Sequence, residues 1–274
     1  MTPAVQHGDL LATIVAATRR IVDVREAARP AAALARHQTR EPRGEAFESA
    51  LRGTEDANRG LPQSARIIAE CKRRSPSRGI LRQDYHPAAH ARAYADAGAV
   101  AISVLTEPTF FDGDPQHLRD VRAAVDLPLL RKDFIISEYQ LIEAAVLGAD
   151  AALLIVSALD QADLTALMQA AGRLGLSVLV EAHSVEEMER AVDAGARIIG
   201  VNSRNLRTLE MDMAVLDAVA ARLPEGVTAV AESGIRSASD LTRLSSAGYH
   251  AFLVGERLIA QPDPGRALRE LCGR

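Results

Sequence analysis

From residue 66 onward the chain alternates between two hydrophobic rhythms. Short runs rich in β-branched residues and leucine occur at 66–71 (RIIAEC), 100–105 (VAISVL), 128–132 (PLLRK), 151–156 (AALLIV), 177–181 (SVLVE), 197–201 (RIIGV), 227–231 (VTAVA) and 250–254 (HAFLV). Their near-continuous apolar character predicts strands buried on both faces, as in a parallel sheet covered by helices. Between them, segments such as 87–97, 138–147, 160–174, 185–194 and 238–246 carry apolar residues at helical spacing; Leu141, Ile142, Ala145 and Val146 share one face. Ser184 with Glu187 and Ser237 with Asp240 read as capping boxes, and Gly98, Gly148, Gly195 and Gly248 fall where left-handed helix ends are wanted. The phrases AGAVA, LGADA, AGARI and AGYHA each precede a strand, a weak internal repeat of one βα unit. Eight such units in roughly 210 residues predict a (β/α)8 barrel (TIM barrel), with a doubly wound open sheet as the alternative.

Residues 1–65 lie outside this pattern. Leu11, Ile14, Val15, Ile21 and Val22 recur at helical spacing until Pro30 should stop the helix, and a short helix is expected near 44–52. The expectation is one domain spanning 1–274, with 1–65 a helical extension packed on the barrel.

Several strand runs end in polar residues: Glu70 with Lys72, Lys132, Glu181, Asn202 with Arg204, and Glu232. Strand alternation sends Glu70 and Lys72 to one side, and Lys132 to the side of Leu130. A charge where a strand should still be burying surface is unfavourable unless it is paired or used. In a parallel barrel all these residues fall at the C-terminal face, where active sites form. Each alone has a structural explanation; two lysines and several acids converging from different strands predict a catalytic pocket. Ser233-Gly234 and Gly255-Glu256 follow the last two strands, the usual phosphate position, where glycine lets backbone N–H groups approach an anion. Phe111 and Phe134, with Phe110, stand near strand ends and could wall an aromatic substrate. Asp112 and Asp114 read as turn residues, His183 as a solvated loop histidine, and Cys71 as an inert thiol facing the helices.

Bulk properties narrow the classes. A formal net charge of -4 argues against a general nucleic-acid binder, so the basic run from Lys72 to Arg78 reads as a pocket loop. Two cysteines are too few for a disulfide framework or a cysteine metal site, which suits a reducing compartment. No run of some eighteen apolar residues occurs, so no membrane span is expected, nor is a signal peptide.

The blocks IIAECKRRSPSRG, ISVLTEPTFFDG, PLLRKDFIISEYQLIEAAVLGADAALLIV, LVEAH, IIGVNSRNLRTLEMD, VAESGI and AFLVGERLI, in this order, resemble those of the indole-3-glycerol-phosphate synthase family along essentially the whole chain. The resemblance implies decarboxylating, dehydrating ring closure of 1-(2-carboxyphenylamino)-1-deoxyribulose 5-phosphate in the cytoplasm, with no cofactor; no cluster of His, Cys or Asp has metal-ligand spacing, so no metal is expected either. It implies Lys132 as general acid and Lys72 as carboxylate ligand sharing proton transfer, their division of labour being open. Glu181 would be the base, supported by Glu70; Asn202 and Arg204 would orient the substrate, and Glu232 and Ser233 would close the pocket floor. Ser75, Ser233, Gly234, Gly255 and Glu256 would ring the phosphate. The partner implied is a small anionic substrate; a monomer is expected, and association with other pathway enzymes stays open. Cys71 and Arg257 depart from the family pattern, the second leaving the details of phosphate binding open. Two alternatives remain: an isomerase of the neighbouring step, which would need an Asp/Cys acid–base pair, and a non-catalytic sugar-phosphate-binding barrel.

Overall fold

The computed structural model describes residues 9–53 and 61–274; residues 1–8 and 54–60 of the expected N-terminal extension lie outside it. Eight strands, β1 (Arg66–Cys71), β2 (Ala101–Leu105), β3 (Leu129–Lys132), β4 (Ala151–Ile155), β5 (Ser177–Ala182), β6 (Ile198–Asn202), β7 (Thr228–Glu232) and β8 (Ala251–Val254), form a closed parallel barrel. Each pairs with its sequence neighbours, and β1 closes the ring by pairing with β8 (Ile68 with Leu253) as well as with β2 (Glu70 with Ser103). The eight predicted runs and the barrel are thus present, each run matching its strand within a residue or so.

Alternation along the strands divides two apolar populations. Ile68, Ala101, Leu130, Leu153, Leu179, Ile198, Val230 and Leu253 fill the barrel. Ile67, Ala69, Cys71, Val104, Leu154, Val180, Ile199 and Phe252 face outward and pack with the helices. The helices are α1 (Leu10–Ala28), α2 (Ala31–Ala35), α3 (Gly44–Arg52), α4 (Pro87–Asp96), α5 (Pro115–Ala124), α6 (Glu138–Leu147), α7 (Gln161–Arg173), α8 (Val185–Asp193), α9 (Ala214–Ala220), α10 (Ala238–Ser246), α11 (Glu256–Ile259) and α12 (Pro264–Leu271). Local chemistry sets their ends. α1 is capped by the Asp9 carboxylate and stops at Ala28, because Arg29 must be extended before Pro30. Gly148 ends α6 at φ 92°, a left-handed conformation that favours glycine. Ser237 and Asp240 form the expected capping box, but Ser184 and Glu187 form only half of one. Ser184 accepts from the Glu187 amide, while the Glu187 carboxylate binds His183 instead.

The N-terminal helices reach opposite ends of the barrel. α1 buries Leu11, Ile14, Thr18 and Val22, and its first turns pack with the interior cluster that includes Phe110, Phe111 and Leu206. α3 lies across the N-terminal ends of the strands, and its Phe47 and Leu51 plug the floor of the barrel. Gly44 lets α3 approach: a Cβ there would sit 2.6 Å from the Ser177 amide nitrogen. The buried Asp150 carboxylate at the foot of β4 holds this end together, accepting from Arg40 (2.7 Å), the Arg43 amide (2.8 Å), Arg122 (3.1 Å) and the Leu129 amide (3.0 Å).

Candidate active site

At the C-terminal ends of the strands a cavity of about 520 Å³ opens between the loops. The residues nominated from the sequence line it: Glu70, Lys72, Ser75, Phe111, Lys132, Phe134, Glu181, Asn202, Arg204, Glu232, Ser233, Gly234, Gly255 and Glu256; Phe110 does not, and packs with the barrel's interior cluster instead. The inward register of β1, β3, β5, β6 and β7 delivers the charged ones, and the barrel's apolar filling lies beneath them as Leu153, Ile155 and Leu253.

Lys132 sits between two buried carboxylates, 2.5 Å from Glu181 Oε2 and 2.8 Å from Glu232 Oε2. Lys72 forms a separate ion pair with Glu70. Asn202 donates to Glu181 Oε1 at 3.2 Å and accepts the Arg204 amide at 3.0 Å, so β6 orients both. Two glycines make room for the acids. A Cβ on Gly200 would strike Glu232 Oε1, and one on Gly255 would strike the Glu70 carboxylate. Phe111 and Phe134 form one wall, their ring centroids 6.0 Å apart.

Charge in this dry setting shifts the protonation of each group. Burial disfavours the Lys132 ammonium, but Glu181, Glu232 and Glu70 outweigh it and raise its pKa. Burial would raise Glu181, yet Lys132 and then His183 hold it well below the usual carboxylate range. Burial pushes Glu232 up to about 8, with the negative charge of Glu181 adding to burial and Lys132 only partly opposing it. The two acids beside one lysine are therefore unequal. Glu232 Oε1 is buried without a hydrogen-bond partner among the described residues.

Above the lysines, β7 leaves through Ser233 (φ 65°) and Gly234 (φ 72°), and β8 through Gly255 into α11. Positive φ at a non-glycine such as Ser233 is uncommon and tends to mark a functional turn. Gly255, Glu256 and Arg257 at the start of α11 line the same cavity as Ser75, Ser233 and Gly234. The Glu256 carboxylate binds Arg78 at 3.0 Å and approaches Arg204 at 3.9 Å. Arg78 belongs to a two-stranded hairpin, Arg74–Ser75 with Gly79–Ile80, that the basic run had concealed.

Two sequence expectations change or sharpen. His183 is not a solvated loop residue: its side chain is only 10% exposed, with Nε2 3.3 Å from Glu181 Oε1 and Nδ1 3.1 Å from Glu187 Oε2. The signal was available, since His183 lies two residues past Glu181 and Glu187 follows one helical turn later. Cys71 does face outward, beside Tyr94, and burial pushes its thiol up. A cysteine acid in the pocket, which the isomerase alternative needs, is absent among the described residues. The apolar contributions of Leu206, Leu209 and Met211 carried no sequence signal, because they lie in the irregular loop after β6.

A closed (β/α)8 barrel whose C-terminal cavity gathers paired lysines and glutamates has the architecture of a barrel enzyme. The family model for indole-3-glycerol phosphate synthase matches residues 11–271, and the chain belongs to that family. Among curated relatives of that name, the protein of Chromobacterium violaceum is 43% identical over 265 residues, 96% of this chain and 97% of its own. That of Micrococcus luteus is 47% identical over 260 residues, 95% and 96% of the two chains. That of Carboxydothermus hydrogenoformans is 52% identical over 206 residues, 75% and 78%. Solved structures share the fold at low identity. Thiamine phosphate pyrophosphorylase from Pyrococcus furiosus superposes with TM-score 0.56 at 17% identity, covering 77% of this chain and 95% of that one. KGPDC from Streptococcus mutans gives 0.59 at 14%, covering 76% and 95%.

Proposed function

We propose that this chain is a carboxy-lyase of tryptophan biosynthesis. It closes the indole ring of 1-(2-carboxyphenylamino)-1-deoxyribulose 5-phosphate, releasing CO2 and water and giving indole-3-glycerol phosphate. The observation that carries the reading is Lys132 held between Glu181 and Glu232, next to the Lys72–Glu70 pair. Ring closure makes a bond from the carboxylated aromatic carbon to the ribulose carbonyl carbon, and the carbonyl oxygen must gain a proton as its charge develops. Lys132 supplies that proton from the cavity floor. Lys72 binds the carboxylate that leaves as CO2, with Glu70 holding its ammonium in place. Glu181 takes the proton from the neighbouring methylene carbon as the hydroxyl departs in water. Two protons go to the leaving oxygen and one comes from carbon, so an ionised substrate takes up one proton per turnover.

The remaining residues position the substrate. Asn202 and Arg204 orient it, Phe111 and Phe134 flank its ring, and Glu232 and Ser233 close the floor. Ser75, Ser233, Gly234, Gly255 and the Glu256 backbone receive the phosphate through N–H and hydroxyl donors. We further infer a monomer acting in the cytoplasm as one domain, with residues 1–65 as its helical extension. What supports the last point is that Leu11 and Ile14 of α1 and Phe47 and Leu51 of α3 join the barrel's interior cluster. No helix among the described residues is long and apolar enough to cross a membrane.

The test is direct. Incubation with the carboxyphenylamino-deoxyribulose phosphate should give indole fluorescence, and Glu181→Gln should reduce turnover by on the order of 10²–10⁴-fold. Absence of indole product from the unmodified protein would overturn the reading.

A further inference from the structure

Two carboxylates a few ångströms apart around one ammonium pose a question of allocation. Like charges this close resist simultaneous ionisation, so one acid tends to keep a proton. Taken alone, Glu181 and Glu232 would be near equals: both are buried, and both reach Lys132 Nζ. What distinguishes them lies on the far side of Glu181. Its Oε1 faces His183 Nε2 at 3.3 Å and accepts from Asn202 at 3.2 Å, whereas Oε1 of Glu232 has no hydrogen-bond partner among the described residues and abuts Gly200.

We propose that His183, locked by Glu187 at the start of α8, is a positioning residue that divides the work of the two acids, keeping Glu181 ionised as the base while Glu232 carries the proton. The inference rests on the reaction proposed above. The ring is held from two sides. Glu187 Oε2 accepts the His183 amide at 2.8 Å and lies 3.1 Å from Nδ1, so one oxygen fixes both the backbone and the imidazole. Nε2 then approaches Glu181 off the line of a hydrogen bond, making the contact an ion pair rather than a directed bond. The ionisable groups facing the ring are Glu181 from β5 and Glu187 from α8; behind Glu181 stand Lys132 of β3 and Glu232 of β7. Burial opposes a charged imidazole, but the two flanking carboxylates outweigh it and push His183 up to about 9. An imidazolium at this place favours a negative Glu181 and leaves the shared proton to Glu232. Lys132 is then opposed by one full negative charge rather than two, which lets it give up its proton more readily. When it does so, Glu181 loses its nearest cation and becomes a stronger base at the moment a base is needed.

The pH profile of kcat/KM tests this, since it reports groups of the free enzyme. In wild type the limb for protonating Glu181 should lie below the assayable range. In His183→Gln it should rise by about one unit or more, as for loss of an opposite charge within contact distance. The acid limb that wild type lacks should therefore enter the assayable range in the variant, where kcat/KM falls about tenfold for each pH unit below it, with the variant folded by circular dichroism. His183→Lys, which keeps a cation, should restore the acid-side rate. An unmoved limb in folded His183→Gln, or no advantage of Lys over Gln, would overturn the proposal. If His183→Gln does not fold, Glu187→Gln at the part-exposed first turn of α8 should show a smaller shift in the same direction, and no shift there also overturns it. A second readout needs no turnover: in the free protein the His183 imidazole should stay protonated by NMR until about pH 9. Ordinary titration near 6.5 would sink the proposal even if the ring-closing activity is confirmed. If instead the ring stays charged but wild type makes no indole product, it is the proposed reaction that fails.

Discussion

Lys132 is the cation shared by two buried glutamates, so its replacement is an electrostatic change before it is a chemical one. Lys132→Gln removes the proton donor and leaves Glu181 and Glu232 face to face. Turnover should fall on the order of 10²–10⁴-fold. Stability should also fall more steeply with pH than in wild type: both acids would hold protons that the unfolded chain releases, so the variant should match wild type in mild acid and lose more Tm as pH rises. Thermal melts at the two ends of the range check this; a variant equally stable across pH would show that the cluster is less coupled than its distances imply. Gly200→Ala asks the complementary question by adding one methyl group where Glu232 Oε1 rests. The acid must shift away from Lys132, and kcat should fall with the barrel intact by circular dichroism. A fully active alanine variant would show that Glu232 need not sit where it does.

At the scale of elements, the barrel is positioned by groups that never meet substrate. Asp150 ties the linker through Arg40 and Arg43 to α5 through Arg122 and to β3 through Leu129. Asp150→Ala would strand partly buried guanidinium and amide groups at once. Breaking a buried pair in this way typically costs about 3–5 kcal/mol, and urea unfolding should show a loss of that order. A loss below about 1 kcal/mol would reduce these contacts to the rank of surface ion pairs. On β3, Arg131 and Lys132 point to opposite faces. Arg131 is wholly buried among Asp133, Glu143, Thr106 and the Gln140 carbonyl, which fixes the strand that presents Lys132.

For the whole molecule, the shifted groups predict how stability varies with pH. His183 is raised from 6.5 to about 9 and Glu232 from 4.5 to about 8, so both hold protons in the fold that the unfolded chain has lost. Their contribution is complete below the unfolded values and is lost as pH rises through the folded ones. Glu181, lowered in the fold, contributes in the opposite sense, and its share is lost in acid. Tm should therefore decline between about pH 5 and 9, and His183→Gln combined with Glu232→Gln should flatten that decline. An alkaline slope that survives both substitutions would assign it to other groups.

The strands, most helices and the converging charges were legible in the chain because each rests on local periodicity. Eight apolar runs at barrel spacing specify which residues face inward, and that alone sends Glu70, Lys132, Glu181, Asn202 and Glu232 to one end. Their family blocks are equally local. Proximity across strands is different in kind. That Lys132 contacts Glu181 and Glu232 rather than Glu70, and that Gly200 and Gly255 are spaces for carboxylates, depends on barrel register and closure. His183 was misread for the same reason. Its sequence surroundings are those of a loop, and only the turn of α8 that brings Glu187 back, with β5 placing Glu181 opposite, converts it into a largely enclosed imidazole between two acids. Local chemistry determined what each segment could become, while long-range packing decided which charges share a dry space, because electrostatic coupling follows distance and burial rather than sequence separation.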